Sequence, residues 1–123
     1  LRQVVNRAAI LVILSLVQPA FAEGWGMKSG DVVFTKAELS EFIAENEVRF
    51  YDGGHSEYGP DDAYAYVYEG GDRAEGRYRI EEDGSVCVDF RNGWSRCDLY
   101  VRNGGRVLLI DEKGDRYPLK PAG

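Results

Sequence analysis

Apolar positions along this chain fall first at helical and then at strand spacing. Leu39, Phe42 and Ile43 recur at i, i+3 and i+4, while Glu38, Glu41 and Glu45 lie elsewhere around the same turns. Just ahead of them, Thr35 can accept from a backbone N–H of the first turn, and Glu38 can reach back to the N–H of Thr35. Phe34 before this cap and Leu39 after it form a hydrophobic staple. The pattern predicts one short amphipathic helix from Lys36 to about Glu45.

After Asn46 the apolar runs become short and are separated by Gly, Asn and Asp. They predict strands near Val48–Tyr51, Ala63–Glu69, Glu75–Glu81, Ser85–Phe90, Ser95–Val101, Arg106–Asp111 and Arg116–Leu119. The segments between the later strands are Gly70-Gly71-Asp72, Asp83-Gly84, Arg91-Asn92-Gly93, Asn103-Gly104-Gly105 and Lys113-Gly114-Asp115. All contain residues that tolerate the positive φ of tight hairpins. None is long enough for a crossover, so successive strands run antiparallel. The fold class that follows is mainly β: an antiparallel meander of six to seven strands forming a small barrel or strongly twisted sheet, with one short N-terminal helix.

Turn lengths then assign faces. A two-residue turn at Asp83-Gly84 sets Ile80 opposite Cys87 and Tyr78 opposite Asp89, and a three-residue turn at Arg91–Gly93 sets Cys87 opposite Cys97. With the first hairpin turning at Gly71-Asp72, Ala63, Ala65, Val67, Gly76, Tyr78 and Ile80 join Cys87, Cys97, Leu99 and Val101 on an expected core face. The other face carries the rows Tyr64–Arg79–Val88–Arg96 and Tyr66–Arg77–Phe90–Trp94, with Tyr68 and Tyr100 nearby. Tyr, Trp and Arg are enriched at binding hot spots, and guanidinium groups stack on aromatic rings. Tyr64, Tyr66, Arg77, Arg79, Phe90, Trp94 and Arg96 are therefore the expected interaction face. The same register puts Asp89 beside Tyr78 on the core side, an internal polar site able to orient a small ligand. A slip of one residue would exchange the faces.

Residues 1–22 alter the compartment. Arg2 and Arg7 precede an apolar run from Ala8 to Val17, broken only by Ser15, and Pro19 is followed by Ala20-Phe21-Ala22. Positive start, apolar core and A-x-A form the pattern of a cleaved secretory signal peptide. The run is too short for a bilayer-spanning helix, which needs about 20 residues. Cleavage leaves residues 23–34 as an irregular lead-in and 35–120 as a single β-rich domain, exported to the periplasm or the extracellular space and free of the membrane. All 21 acidic side chains and 13 of the 15 basic ones lie beyond residue 22, giving that part a net charge of −8. Such a balance argues against nucleic acid as a partner. An unknown protein or a small molecule remains.

Little in the chain points to catalysis. In an oxidising compartment Cys87 and Cys97 are expected to form a disulfide; a zinc or redox pair is the other reading, though the spacing is not C-x-x-C and the chain has one histidine. That histidine, His55, has Asp52 and Ser56 nearby, in a Gly-rich loop expected to be irregular. The loop also offers oxygen ligands, but without EF-hand spacing. No cofactor is expected, and the domain is read as non-enzymatic.

The chain carries a T-x-x-E-L helix (Thr35 to Leu39), a strand ending in Gly53-Gly54, and a Gly-x-aromatic strand (Gly76-Arg77-Tyr78). Two cysteines a hairpin apart (Cys87, Cys97) and a closing Asp-x-x-Gly before an aromatic (Asp111, Gly114, Tyr117) complete the set. On these marks Thr35 to Leu119 resembles a family of small exported bacterial proteins of unknown function. Members often have Trp where Tyr78 stands. The resemblance implies an exported, disulfide-bearing β fold and carries no activity with it. Secreted lysozyme inhibitors, small periplasmic β-barrels that meet a basic enzyme, share the charge and compartment, but their Cys-x-x-Gly and Ser-Gly-x-x-Tyr are absent. The function expected is thus a binding or interaction module, with a small-ligand carrier or small barrel enzyme at Asp89, or an acidic inhibitor of a cell-wall hydrolase, as alternatives.

Overall fold

The computed structural model describes residues 24–121. The expected signal peptide, residues 1–22, lies outside them. Helix α1 (Lys36–Glu45) starts where its cap predicts. The Glu38 N–H donates to Thr35 Oγ1 at 3.1 Å, and the Thr35 N–H donates to Glu38 Oε1 at 2.9 Å. Asn46 ends the helix by returning both its backbone and its side-chain N–H to the Phe42 carbonyl. Leu39 and Ile43 are buried with Phe34, so the staple residues share one cluster, and Phe42 packs its ring on Phe34 and Tyr100.

Nine strands lie among the described residues: β1 (Val32–Val33), β2 (Val48–Arg49), β3 (His55–Tyr58), β4 (Ala63–Val67), β5 (Arg73–Ile80), β6 (Ser85–Phe90), β7 (Ser95–Asn103), β8 (Arg106–Asp111) and β9 (Arg116–Pro118). From β2 to β9 each pairs antiparallel with the next, and β1 lies against β7 where β6 has ended. The sheet curls into a half-barrel, and the residues just after β2 and β9 touch at one isolated bridge between Phe50 and Leu119. There the Lys120 N–H also donates to the Arg49 carbonyl at 2.8 Å.

The strand count exceeds the six or seven expected, because β1 and β3 escape a hydrophobicity reading. In β3, the inward positions are Ser56 and Tyr58 rather than aliphatic residues. Ser56 is nonetheless 3% exposed, and its hydroxyl is satisfied by a 2.8 Å hydrogen bond with the Tyr64 hydroxyl. His55 and Glu57 face outward on the same strand, so this segment is not the irregular loop that its glycines imply.

Turn length sets the pairing between neighbouring strands, and here the expected register is corrected. Tyr51–Gly53, Glu69–Gly71, Glu82–Gly84, Arg91–Gly93 and Glu112–Gly114 are all three-residue turns. Each ends in a glycine at positive φ whose N–H bonds the carbonyl three residues back. The expected geometry holds at Arg91–Gly93, where Cys87 does pair with Cys97. At the β5–β6 turn the third residue displaces the pairing by one, so Tyr78 faces Val88 and Arg77 faces Asp89. At the β4–β5 turn the displacement is three, and Tyr64 faces Gly76. Both slips are odd and exchange faces. Tyr64, Tyr66, Val88, Phe90, Arg96 and Tyr100 therefore point into the half-barrel beside Tyr78 and Ile80. Ala63, Ala65, Val67, Cys87, Cys97, Leu99 and Val101 belong to the convex side.

Strand β7 is buried on both faces. Inside, Tyr100 is completely enclosed with Val86 and Leu109; outside, Leu99, Val101, Leu108 and Ile110 form a second cluster. Residues 24–33, expected as an irregular lead-in, cross this outer cluster as a strap, packing Trp25, Met27 and Val33 on it. Asp31 fastens the strap through both Nη atoms of Arg116, at 2.7 and 2.9 Å, and through the Asn103 side chain at 2.8 Å. The Cys87–Cys97 disulfide joins β6 to β7 on the same convex side. Its sequence separation of 10 residues implies a contribution of about 2–3 kcal/mol through the unfolded chain. Urea unfolding with and without reductant is expected to differ by that amount.

Candidate functional site

An antiparallel meander places alternate turns at opposite ends. Helix α1 closes one end of the half-barrel, packing near the β5–β6 turn, where Lys36 Nζ reaches Glu82 at 3.0 Å. The other end carries the β2–β3, β4–β5, β6–β7 and β8–β9 turns, and there the interior stays open as a pocket of about 380 Å³. Its walls are largely aromatic, formed by Phe50, Tyr66, Phe90 and Tyr117, with the exposed Tyr51 and Tyr68 also lining it. Tyr51, Tyr68 and Tyr117, together with Trp94 from the β6–β7 turn, are exposed large side chains gathered at this one end.

The floor is polar. Strand alternation aims Arg96, Asp98 and Tyr100 of β7 inward at i, i+2 and i+4. Arg96 Nε donates to Asp98 Oδ2 at 2.9 Å, while Asp98 Oδ1 is buried without a hydrogen-bond partner. Only 7% of the Asp98 side chain is exposed. Burial raises its pKa to about 6, against the opposing pull of Arg96. Behind this pair, the Tyr58 and Tyr100 hydroxyls share a 2.7 Å hydrogen bond, and burial pushes both well above the usual phenol range. At the mouth, Asp52 receives the Tyr66 hydroxyl on its carboxylate and the Gly54 N–H on Oδ1, which sets the Tyr66 ring as a wall. Asp111 accepts the Lys113 and Asp115 N–H groups on Oδ1, so its carboxylate is held by its own turn at the pocket edge.

The residues expected to form one interaction face are divided. Tyr66, Phe90 and Arg96 line the pocket, and Tyr64 is 4% exposed inside the half-barrel with its ring against Phe90. Arg77 and Arg79 lie on the convex surface, bonded to the Asp61 carbonyl and to Glu81 and Asp89. Trp94 is 74% exposed at the turn end. The expected Tyr78–Asp89 internal site is also split: Tyr78 is inside, edge-on to Tyr58, whereas Asp89 is on the convex side and largely exposed. The interior carboxylate is Asp98, which the sequence reading passed over. Its signal was the Arg96-x-Asp98-x-Tyr100 alternation, three polar-tipped residues on one face of a strand. His55 pairs with Glu57 at 3.1 Å on the convex side, away from Ser56, which points inward. Among the described residues, no three His, Cys, Asp or Glu side chains come together in a way that could hold a metal ion. Comparison with protein-family models, with curated proteins and with solved structures finds no match for this chain.

Proposed function

We propose that this protein is a non-enzymatic binding module of an exported compartment that takes a small ligand into the aromatic pocket at the turn end of its half-barrel. The observation that carries the reading is the pocket floor: a buried carboxylate, Asp98, with one oxygen held by Arg96 and the other buried without a hydrogen-bond partner, beneath walls of tyrosine and phenylalanine. Small-molecule sites have this make-up, an apolar concavity with a few convergent polar groups. The pocket size suits a ligand of a few rings or fewer. Among the described residues, no Ser, Cys or His lines the pocket. The disulfide is compatible with an oxidising compartment, and the leader-like residues 1–22 support export.

The test is a titration of isotope-labelled, oxidised protein with a library of small cationic, neutral and anionic compounds. Compounds that bind are expected to shift the amides of Tyr66, Ala74 and Phe90. Binding should vanish in Ala74→Phe, which fills the pocket from β5. Absence of any such compound would end the small-ligand reading.

A second reading rests on the exposed ring of Tyr51, Tyr68, Trp94 and Tyr117, which on an acidic domain would dock a basic protein such as a cell-wall hydrolase. It requires a partner from periplasmic extract that Tyr68→Ala/Trp94→Ala no longer captures.

A further inference from the structure

We infer that the ligand of this pocket is a small organic cation, an ammonium or guanidinium group on an apolar body, seated with its charge toward Asp98. The inference rests on the small-ligand reading above and names the chemistry of that same site. Three carboxylates line the pocket, from Asp52, Asp98 and Asp111, against one guanidinium, from Arg96, with the Lys120 ammonium outside the lining over Tyr51. That guanidinium is already turned toward Asp98 Oδ2. Asp52 and Asp111 are oriented by their own hydrogen bonds, so their charge is fixed in place, and Asp98 Oδ1 alone still needs a donor. A buried acceptor left open is costly, and a donor-bearing cation satisfies it, whereas an anion or a neutral apolar ligand does not.

The walls add a second attraction of the same sign. The faces of Phe, Tyr and Trp rings carry negative quadrupole density and attract ammonium and guanidinium groups, most strongly where water is excluded. Rings from several strands surround the cavity, and the protein already uses this contact at its mouth, where Lys120 Nζ sits 5.7 Å from the centroid of Tyr51. A formal charge of −6 on the chain further concentrates small cations at its surface.

Matched probes separate charge from shape: phenethylamine as the cation, phenethyl alcohol as the neutral form and 3-phenylpropionate as the anion, titrated at pH 7.5 and followed at the pocket amides. The amine is expected to bind at least tenfold more tightly than either other probe. Asp98→Asn should remove most of that preference, weakening the amine far more than the alcohol, whose hydroxyl donor carries no charge. Tyr68→Ala, at an exposed position where the fold is not at stake, should weaken the amine several-fold and the carboxylate little. Tightest binding of the carboxylate, or equal binding of all three, would overturn the cation while leaving a small-ligand pocket in place. If no probe shifts a pocket amide and the wild type behaves as Ala74→Phe does, both the cation and the pocket reading fall.

Discussion

Replacing Asp31 by Asn is expected to cost about 3 kcal/mol of stability, and to do so without touching the inner core. The Asp31 side chain is wholly enclosed, and Arg116, 15% exposed, gives it both Nη atoms. The amide keeps the shape but loses the charge and replaces one acceptor oxygen with a donor facing a guanidinium. Removing one partner of a buried pair typically costs about 3–5 kcal/mol, and the lower end applies where only a thin strap covers it. The strap's anchors then loosen over Leu99, Val101, Leu108 and Ile110, so increased dye binding to exposed apolar surface should accompany the lower midpoint in urea. The pH dependence follows from the direction of the shift. Hydrogen bonds from Arg116, Asn103 and the Lys28 N–H hold the Asp31 carboxyl well below its usual range. Its stabilisation is thus complete above about pH 4 and is lost only as pH falls through the lower folded value. The difference between wild type and Asp31→Asn should therefore shrink in strong acid and stay constant from pH 5 upward.

Asp98 works in the opposite sense. Burial raises its pKa from 3.8 to about 6, so between those values the folded protein holds a proton that the unfolded chain has released. Stability from this group is full below about pH 4 and falls as pH rises toward 6. The integrated loss is on the order of 3 kcal/mol, from roughly two pKa units. Arg96 offsets part of the burial, while Asp111 and Glu112 repel the charge, and the tyrosines behind the site stay neutral throughout. Asp98→Asn should flatten the stability profile between pH 4 and 7, measured as midpoint in urea against pH. An unchanged slope in that variant would move the titration to another group. At pH 7 the fold holds a charge that costs stability, and the cation proposed above would offset that cost.

Much of this architecture is determined locally. Thr35, Glu38 and the Leu39, Phe42, Ile43 stripe specify the helix and its first turn, because a cap and an amphipathic face depend only on neighbours within four residues. The glycine of each later turn, and the absence of any long connection, specify an antiparallel meander. The Arg91–Gly93 turn specifies the Cys87–Cys97 pair. Tertiary structure alone decided which side of that meander is the inside. Strand β7 alternates Leu99 and Val101 with Tyr100, so both of its faces are apolar and neither sequence nor periodicity chooses between them. The choice comes from distant segments: the helix covers the Tyr100 side, and the Asp31 strap covers the Leu99 side. An extra turn residue before Gly84 then moved Asp89 out and left Asp98 as the interior charge, since side-chain direction alternates with every residue of register. The pocket was illegible for the same reason, its lining being drawn from turns and strands far apart in the chain that meet only when the sheet has curled.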